Sequence, residues 1–96
     1  VVSGLREARA QAMTGGQRVD FRLQGAQWRV GEARREIAAS VTMSLDVPPA
    51  GIDPGGLFIR FFPDGRSTGG RVHLRRKDRI KTIQVDWITG HAHQAP

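Results

Sequence analysis

Apolar and polar residues alternate along most of the chain from residue 17 onward, and this period of two is the pattern of strands with one buried face. The turn residue Gly25 divides the alternation over residues 17–30 into two halves, which predict a β-hairpin. The longest alternating run covers residues 37–47 and predicts one long strand. Its inward positions are Ile37, Ala39, Val41, Met43, Leu45 and Val47. Antiparallel sheets are therefore the main element of the predicted fold.

The second half of the chain continues this β pattern after a loop. Proline and glycine pairs between residues 48 and 56 do not continue a strand ladder, so they predict a surface loop. Residues 57–62 are apolar on both faces, which predicts a central strand. The dipeptide Asp64-Gly65 predicts a turn, and a further turn is expected over residues 76–79. Beyond the first turn, the predicted inward positions are Val72, Leu74, Ile83, Val85 and Trp87.

The first fifteen residues have a helical period instead. The apolar positions that form one stripe are Val1, Leu5, Ala8 and Ala12. The pair Gly15-Gly16 predicts the end of the helix, because a helix C-terminus often requires a residue that tolerates positive φ. Ser3 is a candidate N-cap. A helix this short is marginal alone, so we expect its narrow stripe to lie against the sheet.

These elements predict one α+β domain over residues 1–96. It consists of a helix segment over residues 1–15 and an antiparallel region of six or seven strands over residues 17–93. One helix followed only by strands excludes the strand–helix alternation of a parallel nucleotide-binding sheet. A chain of 96 residues suits a single modest core.

Residue types that carry chemistry are sparse in this chain. It has no cysteine, and therefore neither a disulfide nor a thiolate ligand or nucleophile. On a short strand, His91 and His93 would project to one face, but a closed zinc site needs four ligands, and a frayed polar tail is the preferred interpretation. The glycines of residues 65–70 match no phosphate-binding motif and predict turns. We predict no enzyme activity, no cofactor and no metal site.

The net charge of +6 is concentrated in one segment. Residues 71–81 contain six basic residues and one acidic residue, a net charge of +5. Such a patch attracts phosphate groups, acidic lipid headgroups or an acidic protein face. The alternative interpretation is a solvated turn whose charged flanks discourage edge-to-edge pairing of strands.

The stretch Phe61–Gly70, F-F-P-D-G-R-S-T-G-G, precedes a strand that closes with the stretch Val85–Gly90, V-D-W-I-T-G. This order resembles the globular domain of GspH-type minor pseudopilins of bacterial type II secretion and the related FimT-type minor pilins. In both, an F-x-P-D-G-x-x-x-G-G hairpin precedes a final strand that ends in Thr-Gly. The resemblance covers nearly the whole chain, from residues 5–12 at the helix end to Gly90.

The resemblance implies a pilin-like α+β fold, in which the helix is the C-terminal half of a longer helix and packs on antiparallel sheets. The hydrophobic first half is then expected upstream of Val1, where it anchors a processed and N-methylated subunit in the inner membrane of a Gram-negative bacterium. The domain itself is then periplasmic.

The function that the resemblance implies is structural. The subunit is expected in the type II secretion pseudopilus, which assists export of folded proteins across the outer membrane. Its implied partners are the other minor and major pseudopilins. With the apolar stripe on the domain's own sheet, Arg6, Glu7 and Arg9 are left to contact adjacent subunits.

An alternative with the same fold is a FimT-type minor type IV pilin that binds DNA for uptake. The predicted phosphate contacts are Arg75, Arg76, Lys77, Arg79 and Lys81, with Trp87 nearby for base stacking. One feature opposes this alternative. DNA-binding members have Gly-Arg-x-Arg after the last long strand, where this chain has Gly-His-Ala-His over residues 90–93.

Overall fold

The computed structural model describes residues 1–95, with one α-helix followed by strands. The helix α1 spans Val2–Gly15, and a single 3-10 turn spans Pro49–Gly51. The strands are β1 (Val19–Gln24), β2 (Gln27–Val30), β3 (Ala33–Glu36), β4 (Thr42–Asp46), β5 (Ile52–Asp53), β6 (Gly56–Phe61), β7 (Gly70–Arg76), β8 (Arg79–Val85) and β9 (Ala92–Gln94). No helix within residues 1–95 is both long enough and apolar enough to cross a bilayer.

The strands form two antiparallel sheets. One has five strands in the order β3-β2-β1-β6-β5, and the other has four in the order β4-β7-β8-β9. The strand β6 pairs with β1 on one side and β5 on the other, as its apolar faces predict. The α+β fold is confirmed. The nine strands within residues 1–95 exceed the predicted six or seven because three of them, β3, β5 and β9, are only four, two and three residues long.

The helix lies on the sheets through its stripe of small apolar residues. The stripe positions without exposed surface are Leu5, Ala8 and Ala12. Gly4 lies against the ring of Trp28, so that a Cβ at this position would come within 2.6 Å of ring carbons. The Trp28 ring in turn stacks on Phe21, with 5.2 Å between the ring centroids. Small residues on this face therefore allow the helix to approach the sheet closely.

Both sheets share one hydrophobic core with the helix. The five-stranded sheet contributes Phe21, Val30, Ile59 and Phe61. The four-stranded sheet contributes Met43, Leu45, Val72, Ile83, Val85 and Ala92. Val1 is half-buried and packs at the margin of this core. The alternation of apolar residues thus predicts the inward face of most long strands, because one buried face per strand is what the core requires.

The two ends of the helix differ in how well the sequence predicts them. The predicted stop at Gly15-Gly16 is confirmed, since Gly16 has a φ of 67° and donates its N–H to the Ala12 carbonyl at 3.1 Å. The predicted N-cap is wrong. Ser3 lies within the first turn and is exposed, because the helix begins at Val2 and no side chain caps it.

The predicted long strand over residues 37–47 is wrong in its first half. The chain belongs to the five-stranded sheet up to Glu36 and to the four-stranded sheet from Thr42, so the intervening residues cross between sheets. Within the crossing, the Val41 N–H donates to the Ala38 carbonyl at 2.9 Å, and Ala39 is exposed. The regular alternation therefore hides a change of sheet.

The predicted inward position of Trp87 is also wrong. The last long strand, β8, ends at Val85, and the side chain of Trp87 is 61% exposed. The alternation breaks because Asp86 starts a tight turn immediately after the strand. Ile83 and Val85 are buried as predicted.

Candidate functional site

The Phe61–Gly70 stretch contains a tight turn at the end of β6. Within it, the Phe62 N–H donates to the Arg66 carbonyl and the Gly65 N–H donates to the Phe62 carbonyl, both at 2.9 Å. The Asp64 Oδ1 accepts from the Arg66 N–H at 3.0 Å. Gly65 has a φ of 91°, a conformation that favours glycine. The predicted Asp64-Gly65 turn is confirmed, and its aspartate accepts from the backbone of the same turn.

Ser67 connects this turn to the end of β8. It is 5% exposed, and its N–H donates to the Trp87 carbonyl at 3.0 Å. Its Oγ donates to the Asp86 carbonyl at 2.9 Å and accepts from the Gly69 N–H at 3.0 Å. Gly69, with a φ of 75°, is the predicted turn residue, whereas Gly70, with a φ of 144°, is already the first residue of β7 and pairs with Val85.

The Thr-Gly end of the last long strand is a second tight turn. The Asp86 Oδ1 accepts from the Ile88 N–H at 2.7 Å and from the Thr89 N–H at 3.1 Å. Hydrogen bonds from the Thr89 and Ile88 amides lower the pKa of Asp86. The Gly90 N–H donates to the Asp86 carbonyl at 2.8 Å, and Gly90 has a φ of 71°. Trp87 and Ile88 are thus held on an ordered turn.

The two turns meet beneath the helix. A Cβ at Gly90 would lie 1.9 Å from the Gly65 carbonyl oxygen, so only glycine fits there. The Arg9 Nε–H is shared between the carbonyls of Gly65, at 3.2 Å, and Thr89, at 3.0 Å. The Asp-Gly turn and the Thr-Gly end therefore form one structural unit that is held to the helix. The sequence carries no periodic signal for this contact, because the partners are 56 and 80 residues apart.

The three helix residues predicted to contact adjacent subunits differ in their surroundings. Arg6 is exposed and makes no hydrogen bond or ion pair with the other residues of the described range 1–95. Glu7 is exposed and accepts from the Gln11 Nε2 at 3.1 Å. Arg9 is half-buried and its Nε is bound inside the domain. Contact of these residues with another subunit stays a prediction.

A cleft of about 410 Å³ lies beside this unit. Its lining consists of Arg6, Arg9, Gly90, His91 and Ala92. The helix supplies the two arginines, and the segment that follows the Thr-Gly turn supplies the histidine. Within residues 1–95, no carboxylate side chain lines the cleft, so its walls suit a negatively charged group.

Comparison with known proteins agrees with this geometry. A family model described as "Type II transport protein GspH" matches residues 1–90, which include the helix, both tight turns and all strands but β9. The chain belongs to the GspH family. It is therefore a pseudopilin of the GspH type.

One curated relative matches part of this GspH-type domain. It is "Type II secretion system protein H" of Xanthomonas campestris pv. campestris, 50% identical over 38 residues. The matched segment is 40% of this chain and 22% of the relative, so the chain is similar to a small part of that protein. No solved structure matches the chain.

The cations of the alternative site lie at the tip of the hairpin β7–β8 in this GspH-type domain. All residues from Arg75 to Lys81 are exposed, and Lys77 forms the turn with a φ of 56°. Arg76 and Arg79 are directly opposed across the two strands. Trp87 does not lie at this tip, because β8 separates it from the turn by roughly 20 Å of extended chain. The structure therefore brings the cations together but separates them from the aromatic ring.

A further charged cluster covers the outer face of the five-stranded sheet. Phe58 is 2% exposed, and the guanidinium carbons of Arg22 and Arg60 each lie 4.7 Å from its ring centroid. Arg60 pairs with Asp20 at 2.8 Å, and Arg22 pairs with Asp53 at 2.7 Å. The Arg22 hydrogen bond lowers the pKa of Asp53 to about 2. The alternation in β1 and β6 places three of these charges outward, but no sequence pattern predicts that they pair over Phe58.

The histidines of residues 1–95 do not belong to a group of metal-binding side chains. His91 and His93 are both exposed, but the predicted frayed tail is wrong, because Ala92–Gln94 form β9 and pair with β8. His73 Nδ1 lies 3.0 Å from the Thr82 Oγ1 across strands β7 and β8. Residues 1–95 contain no group of three or more histidine, cysteine or carboxylate side chains placed to hold a metal ion.

Proposed function

We propose that this domain is the periplasmic part of a minor pseudopilin that is anchored in the inner membrane and assists export of folded proteins by type II secretion. The observation that carries the proposal is the family match over residues 1–90, on a chain whose helix precedes and packs on the sheets. Its role in the filament is structural, and its partners are other minor and major pseudopilins. The name of the Xanthomonas relative supports the same system.

The helix is the element that relates the domain to a filament. Its buried stripe, from Leu5 to Ala12, holds it on the domain's own core, while Arg6 and Glu7 remain exposed. In the proposed assembly, apolar segments upstream of Val1 bundle at the filament axis and this domain forms the surface. The exposed helix charges then face adjacent subunits, where charge pairs orient the partners more than they add affinity.

Gene deletion with complementation tests the proposed function. We expect deletion of the full-length gene in its own bacterium to leave exported proteins in the periplasm, and a plasmid copy to restore them to the medium. Immunoblots of periplasm and medium measure the distribution. Normal secretion in the deletion strain, combined with loss of DNA uptake, would contradict the proposal and favour the alternative.

The exposed cations at the hairpin tip support a second candidate function, DNA binding by a FimT-type minor pilin. A hypothesis based on phosphate contacts predicts DNA retardation in a gel at low salt and a steep loss of retardation as salt rises. Replacing Arg76, Lys77 and Arg79 with glutamine should abolish it. Absence of retardation at low salt removes this candidate.

A further inference from the structure

We infer that the cleft between Arg6, Arg9 and His91 binds a carboxylate of an acidic neighbouring subunit. The inference rests on the proposed function and adds the chemistry of the partner. Residues of the cleft come from the two ends of the chain, the helix and the segment after the Thr-Gly turn. The site therefore exists only in the folded domain.

The charges in and around the cleft set the sign of its ligand. Arg6 has no hydrogen bond or ion pair within residues 1–95, and the bound Nε of Arg9 leaves its terminal nitrogens for further contacts. The carboxylates nearest to the cleft residues in the chain already accept hydrogen bonds within the domain. Asp86 accepts two amides of its own turn, and Glu7 accepts from Gln11. An external carboxylate is the group that completes this arrangement.

The position of Arg9 and the backbone at His91 are fixed before a partner arrives. Arg9 is held by the carbonyls of Gly65 and Thr89, and the segment that supplies His91 is held by the Asp86 turn. The His91 N–H also donates to the Thr89 Oγ1 at 3.2 Å. This part of the cleft is preformed and loses little conformational freedom on binding, which favours a specific contact.

Exposed apolar residues near the contact of Arg9 with the two turns favour a protein partner. Met13 is 46% exposed, and its Sδ lies 3.5 Å from the position that a Cβ on Gly65 would occupy. Ile88 is 56% exposed and directly precedes Thr89. Arginine and methionine beside exposed apolar side chains are typical of protein interfaces.

The net charge of the domain indicates what kind of protein binds in the cleft. A second copy of this chain carries the same net charge of +6, so two copies repel each other at a distance. An acidic domain is attracted instead. The expected occupant is therefore an acidic pseudopilin domain that places one aspartate or glutamate between Arg6 and His91, rather than a second copy of this chain.

Isothermal titration of the chain against the purified periplasmic domains of the other pseudopilins from the same gene cluster tests the inference. The variants are Arg6→Glu and His91→Glu, and the matched control is Arg35→Glu, an exposed arginine on β3. We expect the wild type to bind at least one acidic domain, both cleft variants to lose about tenfold or more in affinity, and the control to bind like the wild type. Circular dichroism melts check that every variant is folded.

Three outcomes would overturn the inference. They are binding of both cleft variants at wild-type affinity, an equal loss for Arg35→Glu, and no binding of the wild type to any of the domains. None of these alters the secretion phenotype of the gene deletion, so the inference and the proposed function fail separately. Restored binding of Arg6→Glu to a partner with one carboxylate changed to arginine would identify the contact directly.

Discussion

Arg9 donates its Nε–H to the carbonyl of Thr89 at 3.0 Å, although Thr89 comes 80 residues later in the chain. The same group reaches Gly65 at 3.2 Å. One helix residue thus joins the Asp-Gly turn and the Thr-Gly end. This contact gives the recognisable sequence pattern of the domain a structural explanation, because both turns are shaped to present a carbonyl to the same guanidinium group.

Replacing Arg9 by methionine tests this contact. The variant keeps an apolar stem of similar length but removes the donor, so two carbonyls lose their partner. We expect the free energy of unfolding to fall by about 1–2 kcal/mol, measured by urea denaturation. The control Arg6→Met removes an exposed arginine without a bound partner and should change it by less than about 0.5 kcal/mol. Equal effects of the two variants would show that the contact contributes nothing.

Gly90→Ala should destabilise the domain more than its φ of 71° alone explains. A left-handed alanine costs about 1–2 kcal/mol anywhere. At this position the added Cβ also meets the Gly65 carbonyl oxygen at 1.9 Å, so the two turns must separate. Overpacking of this kind adds at least about 1 kcal/mol.

The control for that variant is Gly16→Ala. Gly16 has a closely similar φ of 67°, and a Cβ there meets no atom of residues 1–95 within 4 Å. Thermal and urea unfolding of both variants measure the difference between them. If Gly90→Ala is no less stable than Gly16→Ala, the two turns do not depend on close approach.

Local features of this fold can be predicted from sequence, whereas its long-range contacts cannot. The Gly15-Gly16 helix stop, the Asp64-Gly65 turn and the inward face of β8 each depend on residues close together in the chain. The crossing between the two sheets over residues 37–41 cannot be predicted from this pattern. A polar–apolar alternation is the same whether the segment pairs within one sheet or passes from one sheet to the other.

In the candidate site, too, the sequence predicts the local features but not the long-range contacts. The exposure of Arg6 and Glu7 follows from the helical period, because the buried stripe leaves them on the other side. The bound state of Arg9 and the position of His91 in the cleft do not follow from it. Both depend on how the last residues of the chain return to the helix.

The ion pair between Arg22 and Asp53 predicts a specific loss of stability in acid. The pKa of Asp53 in the folded domain is about 2, below its ordinary value of 3.8. Because the folded state holds this proton less tightly than the unfolded chain, the stabilisation is present above pH 3.8 and is lost as the pH falls toward 2. Asp53→Asn should therefore weaken the dependence of the melting temperature on pH in this window.

The matched control for the acid effect is Asp78→Asn. It removes one carboxylate from the exposed hairpin turn and leaves the Arg22 pair intact. Melting curves at several values between pH 5 and pH 2 should separate the two variants, with Asp78→Asn following the wild type. Parallel curves for Asp53→Asn and the wild type would contradict the role of this pair.

Arg79→Glu should stabilise the domain. Arg76 and Arg79 oppose each other directly across β7 and β8, and like charges in this position destabilise a strand pair. Reversing one of them replaces repulsion by attraction, which should raise the free energy of unfolding by about 0.2–1 kcal/mol. Urea denaturation measures the change, and Arg79→Gln, which only removes the repulsion, should give a smaller increase. If instead Arg79→Glu destabilises the domain, the hairpin cations are held by contacts other than those described, and their exposure to a polyanion would have to be reconsidered.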